Sequence, residues 1–424
     1  MSASTYQRVT RLATLTAVHR AFYWLHLHQP QVRRWLLETV RIPAPPFGEQ
    51  ARAEFFLERF RSLGLSNVHL DEEGNALAEL PPEEEPAGAP VILISAHLDT
   101  VFPAGTRCDP VEDTDSQRIF GPGVCDNAAG LSALLGLAAA LRYARINPPA
   151  TILFAANVGE EGEGDLRGMR YLFTRGTYRG RIAAAIALEG SGTSAVVTSG
   201  IGSLRYRVTI TGPGGHSWSD AGRPNPILLL SRALAAIADL PLSIAPLTTL
   251  NVGHISGGTS VNSIPSSATA LIELRSTGAA HMHEAAHEIR RILQETVAPF
   301  ANLSAPVTLL IEIIGDRPAA ALATDSPLLT ILHSVDRHLN LSTEQRLGST
   351  DANLPLSLGI PALAIGTGGS GGSIHTLDEW YDPAGRETAL RRVLLLLLSC
   401  TQFAPQLAAE TAAQIPGAAI HSTP

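Results

Sequence analysis

The stretch at residues 91–101 reads VILISAHLDTV, a largely apolar run that leads into His97-Leu98-Asp99. The same continuous, non-alternating apolar pattern occurs three more times, at residues 151–156, 182–188 and 361–365. Strands with this pattern are buried on both faces, as the strands of a parallel sheet are. Helical stretches separate them, among them residues 128–143, and residues 393–399 belong to a predicted closing helix. We therefore predict an α/β domain with a mostly parallel sheet.

Residues 203–314 have a different pattern. Strand-like runs and two helical stretches follow one another there in the order β-α-β-β-α-β, which is the ferredoxin-like arrangement. We predict a catalytic domain formed by residues 1–202 and 315–424 and interrupted by an inserted α+β domain at residues 203–314. The last twenty residues, 405–424, are rich in Ala and weakly patterned, so we expect them to be partly disordered.

The composition excludes several classes of function. All 31 residues counted as Lys or Arg are arginine, which excludes Schiff-base, P-loop and kinase mechanisms that need a lysine amine. A net charge of −8 disfavours a nucleic-acid partner, because phosphate binding requires a basic face. Three widely spaced cysteines suit a reducing compartment, and no apolar run reaches the ~18 residues of a membrane span. We expect a cytoplasmic protein with no nucleic-acid or membrane partner.

Polar side chains follow each predicted parallel strand, where ligands bind in open α/β sheets. In strand order they are His97 and Asp99, then Glu160 and Glu161, then Glu189, and finally His375 at the end of a Gly-rich loop. A further acid, Asp126, precedes the helical stretch at 128–143. Taken alone, Asp126 is typical of a helix N-cap, and Glu160-Glu161 of a solvated loop. Adjacent carboxylates after a buried strand otherwise require a cation or a shared proton.

Together these positions offer two imidazoles and three carboxylates as ligands, with one carboxylate to spare. Mixed nitrogen and oxygen donors suit zinc, with manganese or cobalt as alternatives. Five protein ligands are too many for a single catalytic zinc that keeps an open position. They suit two ions about 3.5–4 Å apart that share one carboxylate and a water molecule. We therefore predict two divalent metal ions, with the spare glutamate as the base that takes the proton from the water.

Five segments of the chain resemble, in order, the motifs of the co-catalytic zinc peptidase and aminoacylase family. That family includes glutamate carboxypeptidase, peptidase T, acetylornithine deacetylase and succinyl-diaminopimelate desuccinylase. The segments that carry the resemblance are residues 95–101, 121–130, 157–162, 188–190 and 372–379. They extend over nearly the whole chain and enclose the inserted domain.

The resemblance implies a role for each site residue. Asp126 would bridge both ions, His97 and Glu189 would complete one metal site, and Glu161 and His375 would complete the other. The same resemblance makes Glu160 the general base and Asp99 the residue that orients His97. The sequence departs from several relatives at Asn127, where those relatives carry a second acidic residue.

For the inserted domain, the resemblance implies a lid that also forms a homodimer. His216 would reach the active site of the partner subunit, and Asn262 and Arg275 would bind the substrate carboxylate. An arginine beside an asparagine suits this task, because the guanidinium binds a carboxylate bidentately. Read without the resemblance, His216 is a solvent-exposed residue of a Gly-rich turn, and Arg275 is the partner of Glu273 or of another surface acid.

We thus expect a dinuclear metal-dependent hydrolase that cleaves an amide or peptide bond in a small carboxylate-bearing substrate. The residue type at Glu189 favours carboxypeptidases and deacylases, whereas residues 159–168 look more like the peptidase T branch. Two substrate classes therefore stay open, small peptides and N-acyl amino acids, so the alternative activity is that of an N-acyl-amino-acid deacylase. A third alternative is a non-catalytic small-molecule binder with the same fold.

Overall fold

The computed structural model describes residues 4–84, 86–113 and 115–414. Among these, the chain forms two compact units, one that runs to Ser199 and resumes at Ala321, and one formed by Gly200–Ala320. Disorder is expected at residues 405–424, and of these, residues 415–424 lie outside the described residues. The other half of that segment is helical, because a helix occupies Ala404–Gln414.

The first unit contains most of the helices and strands. Up to Gly200 its elements are α1 (Thr5–Ala13), α2 (Thr16–Leu27), α3 (Gln29–Val40), α4 (Gln50–Ser62), β1 (Ser66–Leu70), β2 (Ala76–Leu80), β3 (Val91–His97), β4 (Val111–Glu112), β5 (Ile119–Phe120), α5 (Ala128–Ala144), β6 (Ile152–Asn157), α6 (Arg167–Thr174), β7 (Ile182–Leu188) and β8 (Ala195–Gly200).

The second unit and the return to the first complete the chain. The second unit holds β9 (Gly202–Thr211), β10 (Gly215–His216), α7 (Pro226–Ala238), β11 (Thr248–Gly257), β12 (Ser263–Ile264), β13 (Ser267–Ser276), α8 (Ala279–Val297) and β14 (Thr308–Arg317). After it come β15 (Ala320–Ala321), α9 (Pro327–Leu339), β16 (Glu344–Gly348), α10 (Asn353–Ser357), β17 (Ala362–Ile365), β18 (Ser370–Gly372), β19 (Trp380–Asp382), α11 (Arg386–Gln402) and α12 (Ala404–Gln414).

The large sheet of the first unit is parallel at its centre. Strands β6, β3, β7 and β17 lie side by side in that order and run parallel. They correspond to the four apolar runs of the sequence, and all of their residues are buried. The neighbouring strands are antiparallel, β2 against β6 on one side and β8 against β17 on the other. The predicted α/β class is confirmed, with a sheet that is parallel in the middle and antiparallel towards its edges.

Helix α5 is buried on nearly all sides. It packs against β3 of the sheet and against α2 and α3, and its sequence AAGLSALLGLAAALRYA contains small or apolar residues at almost every position. A helix that is apolar all round belongs in the interior of a protein. Asn127 caps this helix by accepting the N–H of Gly130, so Asp126 lies at the point where the chain enters the core.

A buried ion pair joins two helices of the first unit. The guanidinium of Arg392 in α11 donates from Nε to Asp336 Oδ1 at 2.6 Å and from Nη2 to Asp336 Oδ2 at 2.8 Å. Asp336 belongs to α9, and both side chains are almost fully buried. Such a pair costs desolvation energy when it forms, but removal of one partner leaves an uncompensated charge in the interior.

The second unit has the predicted order of elements. Its four main strands form an antiparallel sheet in the order β11-β13-β9-β14. Apolar side chains of α7 and α8 pack with this sheet into a separate hydrophobic core. The short strands β10 and β12 form a ladder of their own.

Among the described residues, no single helix is both long enough and apolar enough to cross a membrane. The helix pair α11 and α12, bent by 71°, meets that length and composition only when its two members are taken together.

Candidate metal centre

The predicted site residues of the first unit lie at the carboxyl ends of the four parallel strands. His97 is the last residue of β3, and Glu189 directly follows β7. Glu160 and Glu161 come three and four residues after the end of β6. His375 follows β17 and β18 in a Gly-rich segment and has a left-handed backbone with φ of 66°. Because carboxyl ends of parallel strands share one edge, the strand order brings these side chains together.

Asp126 stands between the two histidines. Its Oδ1 lies 3.0 Å from His97 Nε2, and its Oδ2 lies 3.1 Å from His375 Nε2. The two oxygens of one carboxylate therefore point to two different imidazoles. This is the arrangement that a ligand shared by two neighbouring ions requires.

Each histidine also has a carboxylate of its own. His97 Nε2 lies 3.4 Å from Glu189 Oε1, and His375 Nε2 lies 3.0 Å from Glu161 Oε1. Ligand atoms of His97, Asp126 and Glu161 all lie within 4.8 Å of one another. The geometry divides the five side chains into two sets of three that share Asp126.

Asp99 holds the start of the loop that carries the two glutamates. Its Oδ1 accepts the backbone N–H of Glu160 at 2.9 Å, and its Oδ2 accepts that of Glu161 at 2.7 Å. His97 Nδ1 lies 3.0 Å from the backbone oxygen of Asp99 and 3.6 Å from its carboxylate. The backbone oxygen of Asp99 is thus the nearer partner of the imidazole, and the Asp99 carboxylate contacts both the imidazole and the loop.

The electrostatics of the cluster favour cations. Hydrogen bonds with Asp126 and Glu161 raise the pKa of His375 to about 10. Burial lowers the pKa of His97, but hydrogen bonds with neighbouring carboxylates outweigh burial and raise it well above its ordinary value. Burial raises the pKa of Asp126, but hydrogen bonds with the two imidazoles outweigh burial and lower it. Burial raises the pKa of Glu189 to about 7. Positive charge between these carboxylates is stabilised strongly, and the mixed donor set fits zinc or a similar divalent ion.

Two buried side chains to which the sequence assigns no role also contact this region. Asn127 binds the backbone on both sides of Glu189. Glu379 accepts three backbone N–H groups of the segment that ends at Asp126. The only signal in the sequence is the position of Glu379 within the segment 372–379, which resembles the last family motif.

The predicted substrate-binding residues lie in the second unit. His216 and Asn262 are exposed and lie close together, because Ser217 N–H donates to the backbone oxygen of Asn262 at 3.0 Å. The Nδ1 atom of His216 accepts the N–H of Trp218 at 3.1 Å, so this nitrogen is engaged within its own turn.

Arg275 makes an ion pair within its own strand. Its Nη2 and Nε atoms lie 3.0 Å from the two carboxylate oxygens of Glu273. Arg205 Nε donates to the same carboxylate at 2.9 Å. The alternative partner suggested by the sequence is thus present, and two of the donors of Arg275 are engaged.

The fold and the site together define an α/β protein with a cluster of imidazoles and carboxylates at the carboxyl edge of its sheet. Residues 93–399 match the family model described as peptidase family M20/M25/M40. The chain therefore belongs to this family, as the sequence motifs predict.

Individual relatives are more distant. A probable carboxypeptidase of Neosartorya fischeri is 30% identical over 226 residues, which cover 49% of this chain and 49% of the relative. The chain thus spans about half the length of the curated relatives it matches. A tripeptidase of Staphylococcus aureus subsp. aureus Mu50 has a similar fold, with a TM-score of 0.70 and 20% identity over 88% of this chain and 98% of that one. The YXEP protein of Bacillus subtilis, described as a dinuclear metal-binding peptidase of the M20 family, has a TM-score of 0.62 and 15% identity, covering 88% of this chain and 98% of that one.

Proposed function

We propose that the protein is a dinuclear metal-dependent hydrolase that cleaves a peptide bond in a small carboxylate-bearing substrate. The observation that carries the proposal is the position of Asp126, whose two oxygens face His97 and His375 at 3.0 and 3.1 Å. A single carboxylate lies between two imidazole–carboxylate pairs. It is suited to hold two cations side by side.

The residues fit two ions in number as well as in kind. His97, Glu189 and Asp126 would hold one ion, and Glu161, His375 and Asp126 the other. The donors are imidazole nitrogens and carboxylate oxygens, which suit zinc, with manganese or cobalt as alternatives. Three protein ligands per ion leave coordination positions for water and substrate. When bound, the two ions would lower the pKa of a shared water to about 7 and polarise the scissile carbonyl.

In this proposal Glu160 moves the proton. Glu160 is buried beside the metal ligand Glu161, and its backbone is fixed by the carboxylate of Asp99. Its carboxylate would accept a proton from the attacking water and pass it to the leaving nitrogen. General acid–base catalysis of this kind contributes about 10²–10⁴-fold to a rate. His97 stays in the correct orientation because its Nδ1 is bound by the backbone oxygen of Asp99.

The second unit would bind the substrate carboxylate. We propose Asn262 and Arg275 for this role, with His216 acting across a homodimer. Peptidases among the relatives and structural neighbours support a peptide substrate. A cytoplasmic location and a dimer formed through the second unit stay predictions.

A substrate screen on metal-loaded protein tests the proposal. Protein stripped of metal and reloaded with Zn²⁺ or Mn²⁺ is assayed against di- and tripeptides and against N-acyl amino acids, with metal content measured in the same samples. We expect two ions per chain and release of amino acids from peptides. Turnover of N-acyl amino acids alone would favour the deacylase alternative. Two bound ions without turnover of any substrate would favour a non-catalytic binder.

A further inference from the structure

Asn127 connects the bridging ligand to the segment that carries Glu189. Its side chain is fully buried, and its Nδ2 donates to the backbone oxygen of Leu188 at 2.8 Å. Its Oδ1 accepts the N–H of Gly190 at 3.2 Å. Leu188 and Gly190 are the two neighbours of Glu189, and Asn127 itself is the neighbour of Asp126. One amide therefore links the segments of two proposed metal ligands that lie 63 residues apart.

An amide side chain can make all of these bonds. It must donate to a carbonyl and accept from N–H groups at the same time, whereas a carboxylate only accepts. The same Oδ1 also accepts the N–H of Gly130 at 3.0 Å. An ionised carboxylate at this position would instead place an oxygen against the backbone oxygen of Leu188.

Glu379 links the segment that carries His375 to the loop that ends at Asp126. Its carboxylate is fully buried and accepts the N–H groups of Gly123, Cys125 and Asp126, each at 2.8 Å. Its backbone oxygen accepts the N–H of Gly121 at 2.9 Å. Glu379 lies four residues after His375. The loop that ends at Asp126 is thus folded around a carboxylate from the segment that carries the second histidine.

We propose that Asn127 and Glu379 are positioning residues, each of which adjusts one half of the metal centre. Asn127 fixes Glu189 relative to Asp126 and so determines the affinity of the ion held with His97. Glu379 fixes His375 relative to Asp126 and so determines the affinity of the ion held with Glu161. The inference rests on the proposed two-ion function, but it adds that the two affinities can be changed separately.

The physical reason is the rigidity of each connection. Residues that orient metal ligands typically change metal affinity by about 10–100-fold when they are replaced. In Glu379→Gln, an amide NH₂ replaces one oxygen, so at least one of the three N–H groups faces a donor instead of an acceptor. In Asn127→Ala, Leu188 and Gly190 lose their hydrogen bonds to residue 127, and the N–H of Glu189 keeps its bond to the backbone oxygen of Ile365.

The experiment is a competitive titration of metal-free protein with Zn²⁺ against a chromophoric chelator. Glu189→Ala and His375→Ala identify which binding step belongs to which half of the site. We expect Asn127→Ala to weaken the step affected by Glu189→Ala by about 10–100-fold and the other step by about 3-fold or less. Glu379→Gln should weaken the step affected by His375→Ala at least tenfold more than the other.

Two variants control for the loss of comparable bonds elsewhere. Asn225→Ala removes the N-cap of α7, as Asn127→Ala removes that of α5. Asp71→Asn disturbs a carboxylate that accepts the N–H groups of Glu73, Gly74 and Asn75, a threefold pattern like that of Glu379. We expect both controls to lower the thermal midpoint and to leave both binding steps within about 3-fold of wild type, well below the loss expected for orienting residues.

Several outcomes would overturn the inference. Equal weakening of both steps, or of neither, in the two variants would show that Asn127 and Glu379 do not act on separate halves. If Glu379→Gln does not fold, Glu379→Asp is measured instead, since it keeps the charge but cannot reach all three N–H groups. Fewer than two ions bound by the wild type would overturn the proposed function as well, which distinguishes that failure from the failure of this inference alone.

Discussion

The carboxylate of Asp99 accepts the backbone N–H of Glu160 at 2.9 Å. The sequence suggests that Asp99 orients His97, and its carboxylate lies 3.6 Å from the imidazole while it is also hydrogen-bonded to the loop after β6. Asp99 therefore couples the end of β3 to the two glutamates, one proposed as the base and the other as a metal ligand. Its replacement should disturb the loop more than the histidine.

We expect Asp99→Asn to lower kcat by about 10–100-fold with a smaller change in KM. The amide cannot accept the backbone N–H groups of both Glu160 and Glu161. One buried hydrogen bond is therefore lost, and we expect the loop to shift. Steady-state kinetics on the best peptide substrate give the measurement, and Asp109→Asn, at an exposed ion pair with Arg107, is the control. A wild-type kcat in Asp99→Asn would contradict this role.

Glu160→Gln should lower kcat by about 10²–10⁴-fold while two ions stay bound. The amide has the shape of the carboxylate but cannot accept a proton from water. Metal content and kcat are measured on the same preparation, and Glu163→Gln, an exposed acid three residues further on, should retain full activity. Loss of metal from Glu160→Gln would indicate that Glu160 is a ligand instead of the base.

The parts of the fold that could be predicted are those with a strong local signal. The apolar run at 182–188 coincides with β7, because a strand buried on both faces needs apolar residues at every position. Strands β1 and β2 have no such run, since SNVHL is largely exposed and ALAEL is interrupted by Glu79. Their existence depends on pairing with β6 and with each other, which local sequence does not encode.

The candidate site divides in the same way. His97 and Glu189 could be selected because each lies directly at the end of an apolar strand. Glu379 could not, since its partners are backbone N–H groups more than 250 residues away in sequence. A hydrogen bond to a backbone N–H group does not depend on the residue type of the donor, so the sequence does not predict it. The pairing of Arg275 with Glu273 could be anticipated only as one of two alternatives, because residues two apart on a strand share a face.

Two glycines of α5 should respond differently to alanine. A Cβ atom at Gly130 would lie 2.1 Å from Asn127 Oδ1 and 2.9 Å from the backbone oxygen of Leu188, so the helix or the cap must move. At Gly136 the nearest atom is a methyl group of Val32 at 3.2 Å. We expect Gly130→Ala to destabilise the protein by about 1–3 kcal/mol. Gly136→Ala should be nearly neutral, because the gain of up to about 1 kcal/mol in helix propensity offsets the tight contact.

Thermal unfolding of both glycine variants, with circular dichroism at 222 nm, checks this prediction. The same two proteins should differ in metal binding, since only Gly130→Ala disturbs the side chain of Asn127. Equal thermal midpoints for the two variants would mean that the Asn127 side chain can move without loss of stability.

Arg392→Met should destabilise the first unit by about 3–5 kcal/mol. The substitution leaves Asp336 buried without its bidentate partner, and methionine is close to arginine in length but carries no charge. Arg391→Met is the matched control, because Arg391 is half-exposed and pairs with Glu387 on the same helix; its cost should stay within about 1 kcal/mol. A double variant with Asp336→Leu should recover most of the loss, whereas no recovery would show that packing, not charge, determines the effect.

The stability of the second unit should depend on pH through Glu273. Burial raises the pKa of Glu273, but hydrogen bonds from Arg275 and Arg205 outweigh burial and lower the pKa to about 2, from an ordinary value of 4.5. A carboxyl group whose pKa is lowered by folding stabilises the fold above its unfolded pKa, and the contribution is lost as the pH falls towards the folded value. We therefore expect Glu273→Gln to lower the free energy of unfolding by about 1 kcal/mol at pH 7, and this difference from wild type to shrink between pH 4.5 and pH 2.

Urea unfolding of both proteins at several pH values gives the measurement. The control is Glu312→Gln, at a long exposed pair with Arg207, which should show little difference from wild type at any pH. A difference between wild type and Glu273→Gln that is constant over this range would mean that the charge of Glu273 does not contribute to folding.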